Sequence, residues 1–289
     1  MIPTTTIQTY KKPSLLKDPL NPFSETSQKY SIKTMFKLKN FRGSCWVNTC
    51  LQAFYRIPEV QERYSSKNFQ HENTIDECLH RIWVTKGEDG LKDFFSAVRT
   101  ETMPAGNDIG DTHELFQYLC DKLPFLDKLC RFKTADNIVC KHCSKKQVKE
   151  DSVIEYSISG DKDRSPIGEC ILKSVTPYDI QDWKCEDCKK SGCTKQQLIG
   201  SFPKVMIFHR TSIQDATIDY SSILVLNSRK YALLSVSCFN GGHWWSYGRN
   251  MPPGSSWFRL DDQMIIDHGP KQFPLSPKMR MLIYYRLEN

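Results

Sequence analysis

The sequence has no run of about 18 apolar residues, so no membrane-spanning helix is expected. No apolar segment follows a basic start, so no secretory signal is expected. No internal repeat is present, which argues against solenoids and propellers. There is also no block of charge of one sign. The net charge of +7 comes from 40 basic and 33 acidic residues spread along the chain. Such a spread reads first as a solvated lysine-rich surface, and only second as a basic footprint for nucleic acid.

Twelve cysteines are many for 289 residues. Without a secretory signal they read as metal ligands or reactive thiols, not as a disulfide framework. A reducing compartment, cytosol or nucleus, is the expectation. Hydrophobic content of 39% and charged content of 25% are ordinary for a globular chain able to bury a real core.

Residues 1–34 are rich in Thr, Ser, Lys and Pro and lack apolar periodicity, and they read as a tail or extended arm. From Phe36 to Leu126 the pattern is helical. Val47, Leu51, Phe54 and Ile57 recur at helical spacing until Pro58 ends the run. Ile75, Cys78, Leu79 and Ile82 form a second stripe, and Leu91, Phe94, Phe95 and Val98 a third. Asp111 and Glu114 resemble a capping box ahead of Leu115, Phe116, Leu119 and Leu123. Beyond residue 128, β-branched and aromatic runs predict strands at 205–208, 223–226, 231–239, 243–247, 257–260 and 281–285. Helices first and strands later make an α+β protein, with a site expected where the halves meet.

Cys140-Lys141-His142-Cys143 and Cys185-Glu186-Asp187-Cys188 each offer two thiolates from a tight turn. Two such turns close a tetrahedral structural Zn²⁺ site, with strands expected in the segment between them. His142 and Cys193 are alternative ligands that read as bystanders.

The segment Lys39–Gln52 holds a second thiol in a special place. The apolar period begins directly after Cys45, which puts that thiol at a helix N-terminus. There the free N–H groups and the helix dipole favour a thiolate and can hold an oxyanion. Gly43 permits close backbone approach. From the residues alone, a cysteine at a helix start is more often just a small buried side chain. Cys50, further along, reads as core.

This segment resembles the Cys box of the ubiquitin-specific proteases, Gly-Asn-Thr-Cys-Tyr-Leu-Asn-Ser-x-Leu-Gln, through Cys45, Trp46, Val47, Asn48, Thr49, Leu51 and Gln52. Gly242-His243-Trp244-Trp245-Ser246-Tyr247-Gly248-Arg249 resembles the family's His box. Trp257-Phe258-Arg259-Leu260-Asp261-Asp262 is similar to its Trp-Tyr-x-Phe-Asp-Asp. Asp111-Thr112-His113-Glu114-Leu115-Phe116 is similar to its Gln-Asp-Ala-x-Glu-Phe-Leu helix start, and the cysteine pairs fall where the family has its fingers.

The resemblance implies a papain-like α+β cysteine protease over 35–289, with a helical thumb (35–127), a zinc-binding β fingers region (128–200) and a β-rich palm (201–289). It implies a triad of Cys45, His243 and Asp261, with Asp262 as the other choice of acid and Asn40 as oxyanion donor. It implies structural zinc on Cys140, Cys143, Cys185 and Cys188. The expected partner is ubiquitin or a ubiquitin-like modifier and its conjugates, met by a monomer away from membranes.

Departures are visible. Arg42, Gly43 and Ser44 stand where the family has Gly, Asn and Thr, and Gly110 stands where it has Gln. His209-Arg210-Thr211 replaces Lys-Arg-Phe, and the stretch before His243 is short. The alternative functions are an inactive modifier-binding homologue, a protease for SUMO or a similar modifier, and, below these, a zinc-knuckle nucleic-acid binder.

Overall fold

The structure, a computed structural model, describes residues 7–8, 35–102, 109–160, 164–211 and 217–288. Of the expected arm, only Ile7–Gln8 (β1) falls within these residues, where it pairs antiparallel with Ile223–Leu226 (β10).

Four helices stand where the apolar stripes place them: Cys45–Phe54 (α1), Thr74–Thr85 (α3), Leu91–Thr102 (α4) and Thr112–Lys122 (α5). Two short ones were not foreseen. Pro58 ends the first stripe but opens Pro58–Ser65 (α2), and Pro124 opens Pro124–Cys130 (α6). At the first helical position proline lacks only an N–H that the helix leaves unpaired anyway. Of the expected capping box, half forms. Asp111 accepts from the His113 N–H at 2.7 Å, while Glu114 makes no side-chain bond among the described residues.

The palm is a nine-stranded sheet. Its main path runs Met264–Gly269 (β14), Trp257–Asp261 (β13), Trp244–Gly248 (β12), Arg229–Phe239 (β11), Met279–Arg286 (β15), Val205–Arg210 (β8) and Tyr156–Ile158 (β4). Strand alternation sends Val205, Ile207, Met281 and Ile283 into the core shared with the helices. Met206, Phe208, Leu282 and Tyr284 face the opposite core, closed by helix Ile167–Val175 (α7). With both faces covered, these strands read as continuous apolar runs rather than alternating ones.

The fingers form a separate antiparallel sheet. Its order is Lys146–Val153 (β3), Phe132–Cys140 (β2), Ser191–Ile199 (β7) and Tyr178–Lys184 (β6). Between β3 and β6 the chain leaves this sheet. β4 pairs parallel with β8, Arg164–Pro166 (β5) pairs parallel with Thr217–Asp219 (β9), and α7 follows. Much of the segment between the two cysteine pairs is therefore strand.

Candidate active site and metal knuckle

Cys45 is the first residue of α1 and is 2% exposed. The loop before it is held by Asn40, whose Oδ1 accepts from the N–H groups of Gly43 and Ser44, both at 3.1 Å. Ser44 Oγ accepts from the Phe41 N–H at 2.8 Å. The loop needs left-handed backbone at Arg42 (φ 46°) and Gly43 (φ 88°). Arg42 takes this conformation at a cost of about 1–2 kcal/mol that a glycine would avoid.

The second half of the site comes from adjacent strands. Residues 240–243 join β11 to β12, and Asn240 Oδ1 accepts from the N–H groups of Gly242 (3.1 Å) and His243 (2.9 Å). This presents the imidazole just before β12. His243 Nε2 meets Asp261 Oδ1 at 2.7 Å. A carboxylate only accepts, so Nε2 carries the proton, and in the neutral ring Nδ1 offers the lone pair. Asp261 Oδ2 is held by Arg259 Nη2 at 2.8 Å. Trp244 is buried in the core, while Trp245, on the other face, lies alongside His243 with ring centroids 6.4 Å apart. A Cβ at Gly241 or Gly242 would meet nothing within 4 Å, so these residues face open space in the free chain.

Asp262 does something different from its neighbour. It opens the two-residue turn between β13 and β14 with φ 53°, and its carboxylate turns toward the Cys45 loop. Oδ2 accepts from Asn40 Nδ2 at 2.8 Å and Oδ1 from Asn48 Nδ2 at 2.7 Å. The chain thus gives each of its two adjacent carboxylates a separate hydrogen-bond partner set, one on the histidine and one on Asn40. Sequence reading raised both acids for the histidine and missed the Asn40–Asp262–Asn48 linkage, which carries no local signal.

Burial pushes the Cys45 thiol above its ordinary value of 9.0; the Trp244 backbone N–H pulls it back, and the charge of Asp262 adds a smaller push upward. Its own hydrogen bond runs to Gly43 O at 3.9 Å, and none joins it to His243 among the described residues. Cys50 is buried in the core.

The four knuckle cysteines also come together. Their sulfurs lie within 4.8 Å of one another, with Cys140 to Cys188 and Cys143 to Cys185 each 3.7 Å apart. The two turns are built alike. Ser144 N bonds Cys140 O and Lys189 N bonds Cys185 O, both at 3.0 Å, and Ser144 and Lys189 have φ of 60° and 61°. Backbone N–H groups of Cys143 and His142 pull the Cys140 thiol below the usual range. Four converging sulfurs with N–H donors aimed at them fit a tetrahedral Zn²⁺. His142 instead bonds Ser191 O at 2.9 Å, and Cys193 pairs with Cys140 across β2–β7; neither belongs to the cluster.

A family model described as ubiquitin carboxyl-terminal hydrolase matches residues 36–284. No curated protein sequence matches the chain. Among solved structures, the SAGA DUB module Ubp8/Sgf11/Sus1/Sgf73 bound to monoubiquitin superposes with a TM-score of 0.75 at 16% identity, covering 89% of this chain and 70% of that one. The same module bound to ubiquitin aldehyde gives 0.72 at 16%, with coverage of 89% and 70%. The yeast SAGA DUB module carrying an Sgf73 mutant gives 0.74 at 15%, with coverage of 89% and 69%.

Proposed function

The chain belongs to the ubiquitin carboxyl-terminal hydrolase family, and from that premise we propose that it is a thiol deubiquitinase that cleaves isopeptide or peptide bonds at the C-terminal glycine of ubiquitin. The observation that carries this reading is the His243–Asp261 bond of 2.7 Å beside a helix-start cysteine. Cys45 is the nucleophile, His243 the general base and then acid, and Asp261 the group that fixes the imidazole tautomer.

Attack of Cys45 Sγ on the glycine carbonyl passes its proton to His243 Nδ1. The resulting oxyanion is met by the Cys45 N–H and by the second hydrogen of Asn40 Nδ2, the first being engaged by Asp262. His243 then protonates the leaving lysine amine, and water hydrolyses the thioester. The raised Cys45 thiol and the missing Cys45–His243 bond mean that bound substrate must bring the two together.

Zinc on Cys140, Cys143, Cys185 and Cys188 would close the tip of the fingers sheet and supply structure, not chemistry.

The same unjoined pair favours a second reading, an inactive homologue that holds a ubiquitin-like modifier. Hydrolysis of ubiquitin bearing a C-terminal fluorogenic amide separates them. Turnover lost in Cys45→Ala supports the hydrolase, whereas modifier binding without turnover supports the binder.

A further inference from the structure

A second cluster of metal-ligating side chains lies outside the triad and the knuckle. His113, in the first turn of α5, stacks on His209 of β8 with ring centroids 3.6 Å apart and planes 3° from parallel. His113 Nε2 lies against the carboxylate of Glu155, just ahead of β4. Both partners are largely covered, with side-chain exposures of 12% and 14%. Glu155 Oε1 is held in turn by Gln117 Nε2 at 3.0 Å, one turn further along α5. Opposite, His209 Nε2 is buried with no hydrogen-bond partner among the described residues.

We propose that His113, His209 and Glu155 form a metal site for a borderline divalent ion such as Zn²⁺, tying helix α5 to the edge of the palm sheet. The donor set is the one such ions choose. Two imidazoles and a carboxylate are familiar zinc ligands, and a carboxylate held by an amide matches the outer-shell support such ligands carry. One donor atom from each residue lies within 4.8 Å of the other two. A tetrahedral ion with bonds of about 2.0–2.2 Å needs them closer, so the stacked rings must splay and the Glu155–His113 pair must open around the ion.

The orphaned His209 nitrogen is the second observation. A buried imidazole nitrogen with no partner costs free energy that a metal bond would recover. The three ligands come from separate parts of the chain: the start of α5, the fingers-to-palm connection and β8. An ion there would brace the junction on which α1 and Cys45 rest, since Thr112 Oγ1 donates to Trp46 O at 3.0 Å. The proposal stands independently of the hydrolase reading.

The test uses the full chain with one zinc already seated on its four knuckle cysteines, titrated with Co²⁺. The expected result is uptake of one equivalent, visible d–d bands without a thiolate-to-cobalt charge-transfer band, and paramagnetic broadening of the His113 and His209 ring signals but not those of His80 or His268. His209→Asn and Glu155→Gln, checked for unchanged circular dichroism, should weaken uptake by at least about tenfold, the scale on which even outer-shell changes act. Absence of uptake by the wild-type chain, a thiolate band, or equal binding by folded variants would overturn the assignment.

Discussion

Asn40 Nδ2 donates to Asp262 Oδ2 at 2.8 Å while Asn40 Oδ1 accepts from the Gly43 and Ser44 N–H groups at 3.1 Å. The amide is thereby fixed in one orientation, with its nitrogen toward the strands and its remaining N–H free to donate. Asp262 also adds negative charge near the Cys45 sulfur, which raises the thiol. Asp262→Ala should have two opposed effects. Turnover should fall by about 10²–10³, the scale of one lost oxyanion donor. Alkylation of Cys45 by iodoacetamide at neutral pH should quicken, because the thiolate is less disfavoured. Parallel kinetics on the two reactions check this; a fall in both would point to simple damage of the loop.

Asp261 Oδ1 faces the histidine, while its Oδ2 is held by Arg259. Asp261→Asn keeps the shape but allows the wrong imidazole tautomer, and turnover should fall by about 10⁴. The loss should exceed that of Asp262→Ala, and comparison of kcat for the two variants tests the division of labour between the neighbouring acids.

Burial first, and Asp262 second, hold Cys45 as a thiol in the free chain. The sign follows directly: the reactive thiolate fraction is small at pH 7 and rises as pH climbs toward a thiol value above 9.0. Alkylation of the free protein should therefore increase about tenfold per pH unit from pH 7 to 8.5, the slope of a single ionisation below its midpoint. A profile flat across neutral pH would reveal a preformed thiolate–imidazolium pair.

Trp46 stands where the family pattern has Tyr and Gly110 where it has Gln, and the structure joins them. A Cβ on Gly110 would come within 2.7 Å of the Trp46 ring. Gly110→Ala should destabilise the fold by about 1–3 kcal/mol, the usual cost of overpacking. Trp46→Tyr should recover part of that loss, which a double-mutant cycle in denaturant unfolding measures.

For the knuckle, Cys185→Ser should remove one equivalent of bound zinc, read by metal analysis after gel filtration, and should lower hydrogen-exchange protection in β2, β3, β6 and β7. Protection in α1 and β11, which pack in the other cores, should be kept.

Much of this was legible in the sequence because its signals are local. Periodicity located α1, α3, α4 and α5, and the apolar runs located β8, β10, β11, β12, β13 and β15. Paired Cys-x-x-Cys turns foretold the four-sulfur cluster. The short helices α2 and α6 were hidden behind prolines that look like stops and act as first residues. Helix α7 was hidden because its stripe lies between strands of two different sheets. The Asn40–Asp262 bond and the His113–His209–Glu155 cluster were invisible for a different reason. Each joins residues far apart in the chain, and only the closed fold brings them within reach.

The most direct test of the central claim is covalent capture. The zinc-loaded chain is mixed with ubiquitin carrying a C-terminal electrophile, beside matching probes on SUMO and other ubiquitin-like modifiers, with Cys45→Ala as control. A ubiquitin adduct on Cys45 is expected, mapped by mass spectrometry and absent from the control. An adduct only with another modifier would reassign the substrate, and no adduct with any probe from folded protein would contradict the hydrolase reading.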